Sequence, residues 1–125
     1  MCSIFCCTSK QTDKAQMLRC FDKTVSRGPD MTALDSTPSG YMGFHRLAVM
    51  GLNAEGMQPF WMGKNMLVCN GEIYGFRALR RDLEAKGYVF HSKSDCEILL
   101  PLYAEYGVNM FSMLDAEFAL VLYDG

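Results

Sequence analysis

The sequence predicts one domain that mixes strands with helices, and three observations carry that prediction. Short runs of apolar or alternating residues recur at 3–7, 41–52, 65–70 and 117–123. Among them lie segments with apolar residues at three- and four-residue spacing, at 12–27, 76–86 and 94–106. A length of 125 residues, half of them apolar, suits one domain or a part of one.

The opening "MCSIFCC" sets Ile4, Phe5, Cys6 and Cys7 at an end that is ordinarily frayed, so 3–7 is expected as a short buried strand. Residues 12–27 follow as a helix with Met17, Cys20, Phe21 and Thr24 inward, stopped by Gly28 and Pro29. "YMGFHRLAVMGL" (41–52) is expected as a strand, "GLNAEGMQPF" (51–60) as a loop and "NMLVCN" (65–70) as a second strand ending at "NGEIYG". The helix at 76–86 turns Phe76, Leu79 and Leu83 inward, with Arg80/Glu84 and Asp82/Lys86 paired outside. Arg77, Arg80 and Arg81 read either as an anion cradle or as a solvated face. Ser94 and Glu97 have the spacing of a capping box, Gly107 is the stop, and Pro101 predicts a kink. "EFALVLYDG" is an alternating strand running into an Asp-Gly turn signal, and its unpaired edge predicts a homo-oligomer.

Charge and composition exclude several classes. A net charge of −2 with no polybasic run argues against nucleic acid or an acidic membrane as partner. No uncharged apolar run approaches the ~18–20 residues of a membrane span. "MCSIFCCTSK" lacks the basic start of a signal peptide and is too short, so the expected location is cytoplasmic. Six cysteines would allow three disulfides, a weak reading outside the secretory route. Their scatter also lacks the paired spacing of structural zinc, and no metal site is assigned.

Cys2 reads either as a small apolar side chain packed at a buried end or as the residue that carries the chemistry. Removal of Met1 would put a thiol and a free amine on one residue, and the amine titrates near ~7.7–8.0, close enough to neutrality to act as base for the thiol. Attack on an amide carbonyl then creates an oxyanion, which asks for preorganised donors. Asn70-Gly71 offers a side-chain amide and an unobstructed N–H; the same dipeptide is also a common turn. Taken by itself, Arg46 reads as an exposed strand charge, and Asp95 as an acid suited to a helix's first turn.

Five stretches in order, "MCSIF", "RGPD" (27–30), "RLAV" (46–49), "NGEIY" (70–74) and "SDCEIL" (94–99), resemble the class II glutamine amidotransferase domain, most closely its asparagine synthetase (glutamine-hydrolysing) branch. The resemblance implies an α+β, N-terminal-nucleophile hydrolase fold: a four-layer αββα sandwich of two antiparallel sheets between helices. It implies Cys2 as nucleophile, with Asn70 and the Gly71 N–H as the oxyanion hole. Arg46 would bind the α-carboxylate of glutamine, and Asp95, helped by Glu72, its ammonium. Backbone at Leu47, Ala48 and Val49 would line the substrate stem. The reaction would run through a glutamyl thioester to glutamate and ammonia, with no cofactor in this half-reaction.

The family domain continues past "LYDG", so residues 1–125 are expected to be its N-terminal part, without the ATP-dependent synthetase domain that would use the ammonia. Cys6 stands where the family commonly has Gly, which puts a side chain close to the nucleophilic strand, where it could perturb the chemistry. His45 lies one residue later than the usual His, Gly75 replaces a common Asn, and Ser26 replaces a common His. Two other functions stay open: a non-catalytic remnant that binds glutamine or a partner, and a different N-terminal-nucleophile amidase. Arg46 with Asp95 speaks against the latter, because together they recognise a free amino-acid end.

Overall fold

The computed structural model describes residues 2–48 and 54–125. Its first strand, β1 (Ser3–Cys7), is the one expected from the apolar start of the chain. Asp13 then caps α1 (Lys14–Asp22) by accepting the N–H groups of Ala15 and Gln16, each at 3.2 Å. The helix is shorter than expected, and a 3-10 turn takes Val25–Arg27. Met17 and Phe21 are buried, Thr24 is half-buried, and Cys20 is exposed rather than inward. With the helix over by Asp22, its contact stripe narrows to Met17 and Phe21 and leaves Cys20 at the margin.

Next come β2 (Met31–Thr37) and β3 (Gly40–Arg46), joined by the turn Pro38-Ser39. β2 was not expected, because Met31, Ala33 and Leu34 break the alternation; pairing with β3 along its whole length makes it a strand. The first sheet has the antiparallel order β1-β3-β2, with Ser3 opposite His45 and Met31 opposite Arg46. β3 stops at Arg46, earlier than expected, and residues 49–52 of that expectation lie outside the described residues.

The second sheet has the order β4-β5-β6, from β4 (Phe60–Met62), β5 (Asn65–Tyr74) and β6 (Asp115–Tyr123). β5 runs past the expected end at Asn70 because β6 pairs with it as far as Tyr74 opposite Asp115. Asn70-Gly71 is therefore strand, not turn. Two helices cover this sheet, α2 (Phe76–Ala85) and α3 (Leu99–Tyr106), the latter preceded by a 3-10 turn at Asp95–Ile98.

Three local expectations change here. Ser94 makes no capping bond; Glu97 instead turns back to the N–H groups of His91 and Ser92 at 2.7 and 2.8 Å and to Ser92 Oγ at 2.6 Å. Pro101 falls in the first turn of α3, where an N–H has no partner four residues back to lose, so the ring fits a helix start and demands no kink. Lys86 pairs with Glu105 at 2.6 Å rather than with Asp82, whereas Arg80–Glu84 forms as expected at 2.9 Å. Gly107, at φ 56°, ends α3.

The layers follow from which faces are apolar. Phe21 of α1 packs on the outer face of the first sheet, its ring 5.2 Å from Phe5 and 3.9 Å from His45. Met42 and Phe44 of β3 meet Met66 and Val68 of β5 between the sheets. Leu67, Cys69 and Ile73 on the other face of β5 pack with Leu83, Ile98, Leu99 and Leu102. Each large apolar side chain so buried contributes about 1.5–3 kcal/mol. Helix, sheet, sheet, helix is the α+β order expected, and it fits an N-terminal-nucleophile hydrolase sandwich. No helix among the described residues is long and apolar enough to cross a membrane.

Candidate active site

Alternation along β5 decides what its residues face. Met66 and Val68 point between the sheets, so Asn70, two residues on, shares their face; Leu67, Cys69 and Ile73 point to the helices. Cys2 sits at the rim of the same inter-sheet core, ahead of β1. Its Sγ accepts the Leu47 N–H at 3.4 Å and lies 3.7 Å from the Leu47 carbonyl. The thiol is thus held against the backbone that directly follows Arg46.

Asp30 braces that backbone twice, Arg27 holds Cys2 itself, and His45 anchors the end of β3. Asp30 donates its N–H to the Arg46 carbonyl at 3.0 Å, and its Oδ2 accepts the Ala48 N–H at 2.7 Å. Arg27 Nε donates to the Cys2 carbonyl at 3.4 Å. His45 is fully buried between α1 and β2, bonded to the Phe21 carbonyl at 3.1 Å and to Thr32 Oγ1 at 2.7 Å. A carbonyl can only accept, so Nε2 carries a proton toward it, while the Thr32 hydroxyl, able to donate or accept, bonds Nδ1. The sequence assigned no role to Asp30, Arg27 or Thr32; the "RGPD" run was the available signal for the first two.

Arg46 is buried despite its charge. A Cβ built on Gly56 would come 3.3 Å from Arg46 Nη2 and 3.9 Å from Ser94 Cβ, so these three residues border one spot. Met31 Sδ lies 3.8 Å from Nη1. Leu47 and Ala48 follow with backbone engaged as described, and Val49 lies outside the described residues.

Gly71 occupies a distinctive place. Residues 67, 69, 71 and 73 direct their N–H and C=O groups away from β6, toward the side that β4 covers only as far as Phe60 opposite Leu67. Cys69 on that side is bonded by the side chain of Gln58, and the Ile73 N–H by Asp95 Oδ2 at 2.7 Å. The Gly71 N–H lies between them with no bond to it among the described residues. Any side chain here would meet the Glu117 carbonyl at 2.5 Å and Phe118 Cβ at 2.6 Å, so β6 approaches too closely for anything but glycine.

Charge at this end is acidic. Glu72 and Glu117 stand opposite each other on β5 and β6, and with Asp115 they raise the exposed Tyr74 phenol above its ordinary value, Glu117 most strongly. Beside Asp95, the Cys69 thiol and burial push the Cys96 thiol well above its usual range, so Cys96 stays protonated and unreactive. Cys6 does not crowd Cys2: it lies four residues along the strand, about 13 Å at strand rise, and is exposed. Burial of its sulfur and the neighbouring Cys7 raise its thiol. Among the described residues no three His, Cys, Asp or Glu side chains come together to hold a metal ion.

Residues 1–125 match the family model described as a glutamine amidotransferase domain. The chain belongs to that family. The amidotransferase domain is 38% identical over 133 residues to the probable asparagine synthetase (glutamine-hydrolyzing) of Acanthamoeba polyphaga mimivirus. It is 37% identical over 130 residues to asparagine synthetase (glutamine-hydrolyzing) 1 of Arabidopsis thaliana, and 35% over 130 residues to asparagine synthetase B (glutamine-hydrolyzing) of Escherichia coli. Each alignment covers 99% of this chain but only 24, 22 and 23% of the relative. The chain thus spans about a quarter of the length of the curated relatives it matches.

Proposed function

We propose that this amidotransferase domain hydrolyses the side-chain amide of glutamine, with Cys2 as nucleophile. The observation that carries the reading is the seat of Cys2, whose Sγ rests 3.4 Å from the N–H of the residue after buried Arg46. A free amino acid held by its carboxylate at Arg46 would have its chain laid along Leu47 and Ala48, toward that sulfur. Asp95 and Glu72 take the substrate ammonium. Because Asp95 Oδ2 is committed to Ile73, its share falls to Oδ1.

Once Met1 is removed, the Cys2 α-amine accepts the thiol proton and sulfur attacks the amide carbon. The Asn70 side-chain amide and the Gly71 N–H stabilise the resulting oxyanion. Collapse breaks the C–N bond, the proton passes to the leaving nitrogen, and ammonia departs to leave a glutamyl thioester. Water then cleaves the thioester to glutamate and restores the thiol.

The ammonia acceptor is an ATP-dependent synthetase domain, as the names and greater length of the asparagine synthetase relatives suggest, and the location is cytoplasmic. The domain self-associates through β6, the outer strand of its sheet, where Phe118 is exposed and stacked on exposed Phe111 at 6.0 Å. Light scattering tests this last point, a strictly monomeric chain ruling it out.

The test of function is made on one sample: intact mass for loss of Met1, ammonia release from glutamine, and labelling by a glutamine-like diazoketone. Ammonia release with the label on Cys2 is expected. Activity that survives Cys2→Ala, with the label on Cys6 or Cys7, would overturn the assignment.

A further inference from the structure

We propose that Gln58 is a positioning residue for the oxyanion donors, acting through the backbone of Cys69. The inference rests on reading Asn70 and Gly71 as those donors. Gln58 is a buried polar side chain in a segment the sequence presents only as loop. Its Oε1 accepts the Cys69 N–H at 2.6 Å, and its Nε2 donates to the Cys69 carbonyl at 2.9 Å.

A carboxamide used in this way reproduces the donor and acceptor of a strand residue. β4 pairs Phe60 with Leu67, so the next pairing site on β5 is Cys69, two residues on. Backbone pairing stops short of it, and the Gln58 side chain supplies that pair instead.

Geometry makes this consequential. The Cys69 carbonyl and the Asn70 N–H belong to one rigid peptide plane, so fixing the carbonyl fixes where the Asn70 side chain leaves the strand. Gly71 follows with no Cβ to restrict its two backbone dihedrals. Its N–H keeps one direction because β5 is pinned on both sides of it, at Cys69 by Gln58 and at Ile73 by Asp95. Gln58 touches no reacting atom; it sets the angle of the groups that do.

The experiment measures glutamine hydrolysis by the full chain and its Gln58→Met and Gln58→Glu variants, with circular dichroism to confirm folding. An oxyanion exists only after attack, so the expected loss is in kcat, about tenfold or more, with KM within about twofold. Gln58→Glu provides a readout that a packing role would not move. Its carboxylate accepts the Cys69 N–H but opposes the carbonyl, whereas its protonated form can donate there as glutamine does. Relative to wild type, kcat of Gln58→Glu should therefore rise as pH falls through the titration of this buried, upshifted carboxyl.

Equal kcat in wild type and Gln58→Met, or a loss confined to KM, overturns the inference and leaves the amidotransferase reading standing. So does a Gln58→Glu deficit that is flat with pH, which also decides the matter if Gln58→Met fails to fold. A processed wild type that releases no ammonia overturns both, because no oxyanion site then remains to be positioned.

Discussion

The Asp95 carboxylate accepts the Ile73 N–H at 2.7 Å, tying the turn before α3 to the central strand of the second sheet. One residue thereby serves two ends. It satisfies the backbone donor of buried Ile73, and it sets a carboxylate on the side of β5 toward which the Gly71 N–H also points. The structural role and the proposed substrate role predict separable effects.

Asp95→Ala should destabilise the fold by about 1–3 kcal/mol, because the Ile73 N–H loses its acceptor. Asp95→Asn keeps an acceptor and should retain most of that stability. Both should weaken glutamine binding, since neither offers a full charge to the ammonium. Chemical denaturation and the glutamine KM, measured on both variants, separate the two effects. An unchanged KM in Asp95→Asn would remove Asp95 from the substrate site.

Gly71→Ala is expected to fail at both levels. The new methyl would meet the Glu117 carbonyl at 2.5 Å, a backbone atom that cannot swing aside. β6 must shift, and the Gly71 N–H shifts with it. Overpacking of this kind costs about 1–3 kcal/mol. A lower melting temperature together with a loss in kcat is the expected outcome; a variant of wild-type activity would show that the N–H of residue 71 is not an oxyanion donor.

The Lys86–Glu105 pair predicts a pH dependence. The Lys86 ammonium first, and then the Tyr88 hydroxyl, hold the Glu105 carboxyl below its ordinary range. A carboxyl depressed in the folded state contributes stability that is complete above its unfolded pKa and is lost as pH falls through the folded value. The same contact raises Lys86, so the ammonium stays charged throughout that window. Glu105→Gln should therefore melt lower than wild type at neutral pH, with the gap closing on acidification. Thermal melts across the acid range check this, and a gap that widens with acid would reverse the sign of the contact.

How far the fold was legible depended on where the deciding forces lie. β1, α2 and the inward residues Met17, Phe21 and Leu83 were readable because burial imprints a period on the chain. β2 was not, since its order comes from pairing with β3 rather than from its own pattern. Asn70-Gly71 pulled toward a turn by local propensity, and nine residues of pairing with β6 overrode it. The capping box failed for a related reason: Glu97 found three donors at His91 and Ser92, a better set than the one Ser94 offered. In the site, Cys2 and Arg46 stood out by residue type and place. Gln58 did not, because its role lies wholly in two hydrogen bonds to a residue eleven positions away.

The last prediction sets Arg46 against Arg80, two arginines that differ in what surrounds them. Arg46 is buried beside Gly56 and Ser94, at the end of β3 next to the seat of Cys2. Arg80 lies on α2, where it pairs with Glu84 at 2.9 Å, donates to the Ser92 carbonyl at 2.6 Å and covers the Phe90 ring at 4.5 Å. Its bonds to Ser92 and Phe90 tie the segment after α2 to the helix, so Arg80→Ala should lower the melting temperature while leaving the glutamine KM alone. Arg46→Ala should do the reverse in emphasis. It leaves a substrate carboxylate unpaired in a partly desolvated site, for which about 2–5 kcal/mol is the usual penalty. That corresponds to a rise of about 30-fold or more in KM, at a factor of ten per 1.4 kcal/mol. Arg46→Lys should recover only part of it, because an ammonium cannot make the paired, planar contact that a guanidinium makes with a carboxylate. Steady-state kinetics and thermal melts on the three variants give the answer. Equal and small effects of Arg46→Ala and Arg80→Ala on KM would show that the carboxylate of the substrate is held elsewhere.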